Sequence, residues 1–228
     1  METAIRTEQV SKFYESGRTT VAALKDVSMA ITKGIATVIA GPSGSGKTTL
    51  LSMIGLLARP SEGRIYIQDR EVSGISDIFR SRIRQQEIGF VFQNQYLLPQ
   101  LTAVQNVALP FLATDTAIRD AEKKAKEQLS EFGLEDRLDF RVAEMSGGEQ
   151  QRVSIARGLM NNPSVLIADE PSSSMEQDLV EYLLDLLRTM CDDQGLTVIV
   201  ASHDPRVLEW GDEVYRLSRG VLVDEQRS

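Results

Sequence analysis

A run of small and β-branched residues, Ile35-Ala36-Thr37-Val38-Ile39-Ala40, stops at Gly41-Pro42-Ser43-Gly44-Ser45-Gly46-Lys47-Thr48, and no other stretch narrows the possible folds as far. An apolar run without the alternation of a half-exposed strand predicts a strand covered on both faces. Gly41, Gly44 and Gly46 open backbone conformations that other residues avoid, so successive N–H groups can turn toward one point. From Lys47 the pattern becomes helical and runs to about residue 57. A doubly covered strand, an anion-cradling loop and a helix in that order require a mainly parallel sheet with helices against it.

The loop fits the P-loop pattern G-x-x-x-x-G-K-[ST] in the strand–loop–helix setting that the pattern needs. In such a loop Lys47 reaches the β and γ oxygens of a nucleoside triphosphate, and the Thr48 hydroxyl ligates Mg²⁺. A second apolar strand, 165–168, ends in Asp169 and Glu170. Asp169 suits the Mg²⁺ shell, directly or through water, and Glu170 is placed to take a proton from an attacking water. The single histidine, His203, follows a third apolar run at 197–201, in Ala201-Ser202-His203-Asp204. Ligands of α/β sheets gather at the carboxyl ends of strands, where a neutral imidazole can donate to a γ-phosphate oxygen and orient the water. Gln93 closes one more strand, 88–92, and by itself specifies nothing.

A second anion site follows much later. In Met145-Ser146-Gly147-Gly148-Glu149-Gln150-Gln151-Arg152 a hydroxyl residue and two glycines open a helix expected over 149–160. The unpaired N–H groups and positive dipole end of a helix attract an anion, but by only about 0.3–2 kcal/mol. That is too little to hold a nucleotide, so this helix end must sense a phosphate held elsewhere.

The rest of the pattern divides the chain. Residues 1–34 read as short strands, with Val27, Met29 and Ile31 alternating before Lys33-Gly34, and 64–68 as a further strand. A single domain is expected, with its α/β part over about 1–94 and 161–228 and an inserted helical part over about 95–160. The inserted part carries a charged amphipathic helix at 115–132 that Gly133 stops, and an apolar-faced helix is expected at 179–190. Cys191, the only cysteine, excludes an intrachain disulfide, suits a reducing cytosol and reads as a packing residue. The first ten residues lack a signal h-region, and no apolar run nears the ~18–20 residues of a membrane span. With 33 acidic against 25 basic residues and a net charge of −8, a nucleic-acid partner is not expected. Any membrane role must come through a partner.

Taken in this order, the segments resemble an ABC-transporter ATP-binding subunit over nearly the whole chain. The resemblance implies an α/β P-loop NTPase core with a mainly parallel sheet, an N-terminal antiparallel β subdomain and an inserted helical subdomain. It assigns Gly41, Pro42, Ser43, Gly44, Ser45, Gly46, Lys47, Thr48 and Thr49 to the Walker A loop and Asp169 to the Walker B metal site. It implies catalytic roles for Glu170 as base, His203 as switch and Gln93, the last also in the metal shell. It implies adenine stacking on Tyr14 and a nucleotide-contacting signature at Ser146, Gly147, Gly148 and Glu149. ATP and Mg²⁺ are the implied ligands. In this family two copies pack head to tail, and each signature meets the γ-phosphate held by the other copy, which gives the weak second anion site a purpose.

Ile88-Gly89-Phe90-Val91-Phe92-Gln93, Leu97-Leu98-Pro99, Leu101-Thr102-Ala103-Val104-Gln105-Asn106-Val107-Ala108-Leu109-Pro110 and Gly147-Gly148-Glu149-Gln150-Gln151-Arg152 are similar to the lipoprotein-releasing and macrolide-export subgroup. That likeness implies a cytoplasmic subunit, peripheral on the inner face of the cell membrane through an integral membrane permease, that powers export or extraction. The alternative is a mechanical signal to a membrane partner, as in the related cell-division ABC ATPase. Gln95, Tyr96, Leu97 and Leu98 are either a docking patch for that partner or ordinary core of the helical part. Two places depart from the family pattern. Glu149 stands where glutamine is commoner, and Ser174-Met175-Glu176 stands where Ala-Leu-Asp or Asn-Leu-Asp is usual, at a point where the two copies touch.

Overall fold

The computed structural model describes residues 2–17, 19–173 and 175–227. The first half runs β1 (Thr3–Ser16), β2 (Thr19–Thr32), β3 (Ala36–Ala40), α1 (Lys47–Ile54), β4 (Glu62–Ile67), β5 (Arg70–Glu71), α2 (Asp77–Glu87), β6 (Ile88–Val91) and α3 (Ala103–Ala108). The second half runs α4 (Ile118–Glu131), α5 (Gly147–Leu159), β7 (Val165–Asp169), α6 (Gln177–Gln194), β8 (Thr197–Ser202), α7 (Pro205–Trp210), β9 (Glu213–Ser218) and β10 (Val221–Arg227).

Two sheets result, ordered β2-β1-β4-β5 and β10-β9-β3-β8-β7-β6. The first is antiparallel, and the second is parallel apart from the β9–β10 hairpin. Every residue of β3, β7 and β8 is buried, because the larger sheet is covered on both faces. Val38, Ala40, Leu166, Ala168, Val198 and Val200 enter one apolar core, closed by α6 and continuous with Ala121, Ala125, Leu129 and Phe132 of the helical part. Ile39, Val165, Ile167, Ile199 and Ala201 enter the other, closed by α1 and the antiparallel sheet. Each large side chain so buried contributes about 1.5–3 kcal/mol, which fixes the register of the three central strands. Ala40 pairs with Ser202 and Asp169 with Ala201, so β3, β7 and β8 end together. The loop after β3, the acidic pair after β7 and His203 after β8 therefore share one edge.

Several boundaries differ from the sequence pattern for identifiable reasons. Residues 1–34 hold two strands of 14 residues each rather than short pieces. Register shifts after Thr3, Thr7, Val10 and Lys12 break the alternation without ending the strand. Helix α1 stops at Ile54, short of residue 57, where Gly55 lies against the Phe90 ring and a Cβ would sit 2.2 Å from Cζ. Helix α6 continues to Gln194 and ends on Gly195 in the left-handed conformation. Helix α2 has no apolar stripe to announce it, since only Arg80 and Ile83 of it are buried. Cys191 is a buried core residue of α6, and burial pushes its thiol up to about 11, as befits a packing residue. No described helix is long and apolar enough to cross a membrane.

Candidate active site

The edge where β3, β7 and β8 end opens into a cleft of about 760 Å³. Residues 42–49, Gln93, Asp169, Glu170 and His203 all line it, joined by Val21, Ala22, Ala23, Ser173, Arg219 and Gly220. The loop depends on its glycines. Gly46 has φ +105°, and a Cβ there would meet the Ala23 carbonyl oxygen at 2.7 Å. Gly41 would place a Cβ 2.3 Å from the Leu217 carbonyl oxygen. These contacts hold the loop close to β2 and β9, at the wall of the cleft.

Lys47 Nζ donates to the Gly41 carbonyl at 2.8 Å and lies 3.4 Å from Glu170 Oε1. Both side chains are almost buried, at 8% and 11% exposure. On its other side Glu170 meets His203, whose Nδ1 stands 3.0 Å and 3.1 Å from the two carboxylate oxygens. Glu170 is thus held between a cation and an imidazole. Its backbone has φ +48°, in the left-handed region, and its N–H donates to the Ala201 carbonyl at 2.9 Å. Such strain persists only where the surroundings enforce it, and it commonly marks a working residue.

Thr48 Oγ1 donates to Asp169 Oδ2 at 2.6 Å. Asp169 Oδ1 is buried without a hydrogen-bond partner among the described residues. Burial pushes the Asp169 carboxyl above its usual range; the Thr48 hydrogen bond and Lys47 pull it down, while repulsion from Glu170 adds to the rise. A buried carboxylate oxygen left unpaired beside a hydroxyl is a hard-oxygen pair that suits a small divalent cation. Among the described residues no cluster of three or more His, Cys, Asp or Glu side chains could hold a metal. A cation bound here would take most of its ligands from phosphate and water.

Gly41, at the foot of the loop, is not part of the lining, and two further predicted groups lie outside this cleft. Tyr14 is 45% exposed on β1, paired across the hairpin with Val21, which does line the cleft. Lys12 Nζ sits 5.2 Å from the centre of the Tyr14 ring. The Ser146–Glu149 group is the start of α5. Ser146 Oγ accepts from the Glu149 N–H at 3.3 Å, and a Glu149 carboxylate oxygen accepts from the Ser146 N–H at 2.8 Å, a capping box. That backbone N–H, together with Arg137 at 2.8 Å, holds the Glu149 carboxyl below its usual range despite partial burial. Glutamate at this position is therefore a built part of the helix start.

A family described as ABC transporter matches residues 24–173. The chain belongs to the ABC transporter ATP-binding subunits. It is 40% identical over 228 residues to the lipoprotein-releasing system ATP-binding protein LolD 1 of Caulobacter vibrioides, covering all of this chain and 97% of that protein. It is 39% identical over 218 residues to the macrolide export ATP-binding/permease protein MacB of Bdellovibrio bacteriovorus, covering 96% of this chain and 33% of that larger protein. In structure it is similar to the cassette MJ0796, solved as a dimer in a post-hydrolysis state bound to ADP and Pi, at TM-score 0.93 and 36% identity over 98% of each chain. As a member of this family, the subunit binds and hydrolyses ATP through a P-loop fold.

Sequence reasoning missed Val21–Ala23 as cleft wall, and it missed Ser173 and the Arg219-Gly220 turn. Val21, Ala22 and Ala23 carry no reactive group, and a turn in a late hairpin gives no chemical signal. Ser174 lies outside the described residues. Its neighbour Met175 packs against the core, while Glu176 caps α6 without a side-chain bond; nothing in the structure explains glutamate there.

Proposed function

We propose that this subunit closes as a head-to-tail pair on two Mg²⁺-bound ATP molecules and so drives an integral membrane partner in export or extraction. The observation that carries the reading is the separation of the two anion sites. The P-loop cleft holds Lys47, Thr48, Asp169 and Glu170, whereas the glycine-led start of α5 lies outside it. A helix end that weak becomes useful when a second copy delivers a phosphate to it, and its contribution is then present only in the closed state.

Thr48 and Asp169 would hold the metal, with Gln93 at the same cleft; the ion would neutralise phosphate charge when bound. A γ-phosphate at Lys47 competes with Glu170 for the ammonium group. Once released, Glu170 accepts the proton of a water attacking the γ-phosphorus as the bond to the bridging oxygen breaks and ADP leaves with that electron pair, and His203 keeps the Glu170 carboxylate oriented. Tyr14, half exposed opposite Val21, would stack on the adenine.

Motion would reach the membrane through α5. Gln95 Nε2 donates to Gln151 Oε1 at 2.9 Å, and Arg157 donates to the carbonyls of Gln95 and Tyr96. Buried Asn106 fastens the following turn by accepting from Leu98 N–H and donating to the carbonyls of Leu98, Leu101 and Thr102. The helix that carries the signature is thereby bonded to the segment just after Gln93. Tyr96 and Leu98 are exposed, at 68% and 46%, while Leu97 packs on the core, so the patch would present the first two. A protein that works on a membrane in this way sits peripherally on its cytoplasmic face. The likeness to LolD and MacB supports a lipoprotein, peptide, lipid or drug cargo chosen by the partner. Leu98→Asp should abolish co-purification with the membrane subunit from detergent extracts while ATP binding persists. Normal co-purification would refute the docking patch.

A further inference from the structure

The turn between β9 and β10 brings Arg219 and Gly220 into the wall of the ATP cleft. Gly220 N–H donates to the Ser45 carbonyl at 2.9 Å, and its own carbonyl accepts from Lys25 N–H at 2.8 Å. A Cβ on Gly220 would stand 2.7 Å from the Ala23 carbonyl oxygen, so the turn is wedged between the P-loop and β2. Arg219 is exposed and has φ +49°. A tight hairpin turn with this geometry favours Gly, Asn or Asp, and a long side chain there is held at a cost. Among the described residues no hydrogen bond or ion pair occupies the guanidinium.

Charge gives that cost a purpose. Asp169 and Glu170 line the same cleft, and Lys47, its other permanent cation, is already paired with Glu170. A triphosphate carries more negative charge than Lys47 and one divalent cation offset, so a further positive group on the cleft wall would favour it. A guanidinium presents several donors in a plane that matches phosphate oxygens.

We infer that Arg219 is a nucleotide-binding residue that meets phosphate oxygens of ATP from the β9–β10 turn. The inference rests on the cleft being the ATP site. A permanently charged anchor on a fixed turn would favour ATP and ADP alike.

The test compares wild type with Arg219→Gly, Arg219→Lys and Arg216→Ala, measuring binding of ATP, ADP and adenosine by calorimetry at two salt concentrations. Glycine accepts positive φ without strain, so Arg219→Gly should melt no lower than wild type, and a loss of binding is then not a loss of fold. Arg219→Gly should bind ATP and ADP about tenfold more weakly, as expected for one partly exposed charge-assisted contact. It should also show a flatter salt dependence and unchanged adenosine binding. Arg219→Lys should retain most of the affinity. Arg216 lies on β9 near Asp224, away from the cleft lining, and its loss should leave binding unchanged. ATP affinity equal to wild type in Arg219→Gly would overturn the assignment, as would an equal loss in Arg216→Ala, which would mean general electrostatics. Failure of the wild type to bind ATP would instead overturn the site itself.

Discussion

Replacing Asp169 by Asn should make the ATP-free protein more stable and less able to use Mg²⁺. Asp169 is 8% exposed, its Oδ1 has no partner among the described residues, and burial raises its carboxyl above the usual range. A buried acceptor without a partner costs about 1–3 kcal/mol, more if charged. An amide keeps the Thr48 hydrogen bond and removes the charge, while leaving one neutral group unpaired, so a net gain of about 1–2 kcal/mol is reasonable. For a chain of this size each kcal/mol moves the melting midpoint by about 2–4 °C, giving a rise of roughly 2–8 °C. The sign with pH follows from the raised value. The folded state holds the proton more tightly than the unfolded chain, so ionisation costs stability as pH climbs above the ordinary aspartate range. The gap between variant and wild type should be full at pH 7 and close as pH falls back through that window. Calorimetry without nucleotide, then with ATP and with or without Mg²⁺, reads both halves: wild type should gain more stability from the metal than the variant does. A variant that melts below wild type at pH 7 would show that Lys47 and Thr48 already stabilise the carboxylate and that its burial carries no net cost.

Other outcomes follow from the same geometry. Glu170→Gln removes the proton acceptor and should lower ATP hydrolysis by about 10²–10⁴, read as phosphate release at saturating ATP; a wild-type rate would reject the base. Because Lys47 also loses its ion-pair partner, the same variant should bind ATP at least as tightly as wild type. Ser146→Ala removes the α5 cap and should cost about 1 kcal/mol, a fall of about 2–4 °C in melting midpoint, with ATP affinity of the isolated subunit unchanged.

The central sheet and the acidic pair at its edge were legible because burial and chemistry write into the same residues. A strand covered on both faces must be apolar throughout, and the polar groups at its end then stand out, as Asp169, Glu170 and His203 do. The strand lengths of β1 and β2 were not legible, since bulges such as that after Thr7 shift the alternation without stopping the ladder. Helix α2 has charged residues on nearly every side and leaves no periodic trace. The cleft wall contributed by Ala22, Ala23 and Arg219 is set by backbone approach, which a sequence does not display. Glu149 shows the reverse case: a departure from the family pattern that the capping box and Arg137 make intelligible.

In the proposed closed pair, the start of α5 reads a phosphate held by another copy of the chain. Gly148 is its most exacting probe. A Cβ there would meet only Leu179 Cδ1, at an ordinary 3.5 Å, and Gly148 occupies the second helical position, where an acidic residue suits the dipole. Gly148→Asp should therefore leave the isolated subunit folded and able to bind ATP, while its carboxylate repels an incoming γ-phosphate. Light scattering on Glu170→Gln with ATP should report a dimer that disperses with ADP, and the double variant Glu170→Gln/Gly148→Asp should remain monomeric with ATP bound. A double variant that dimerises as readily as Glu170→Gln alone would show that the start of α5 does not read a partner's phosphate.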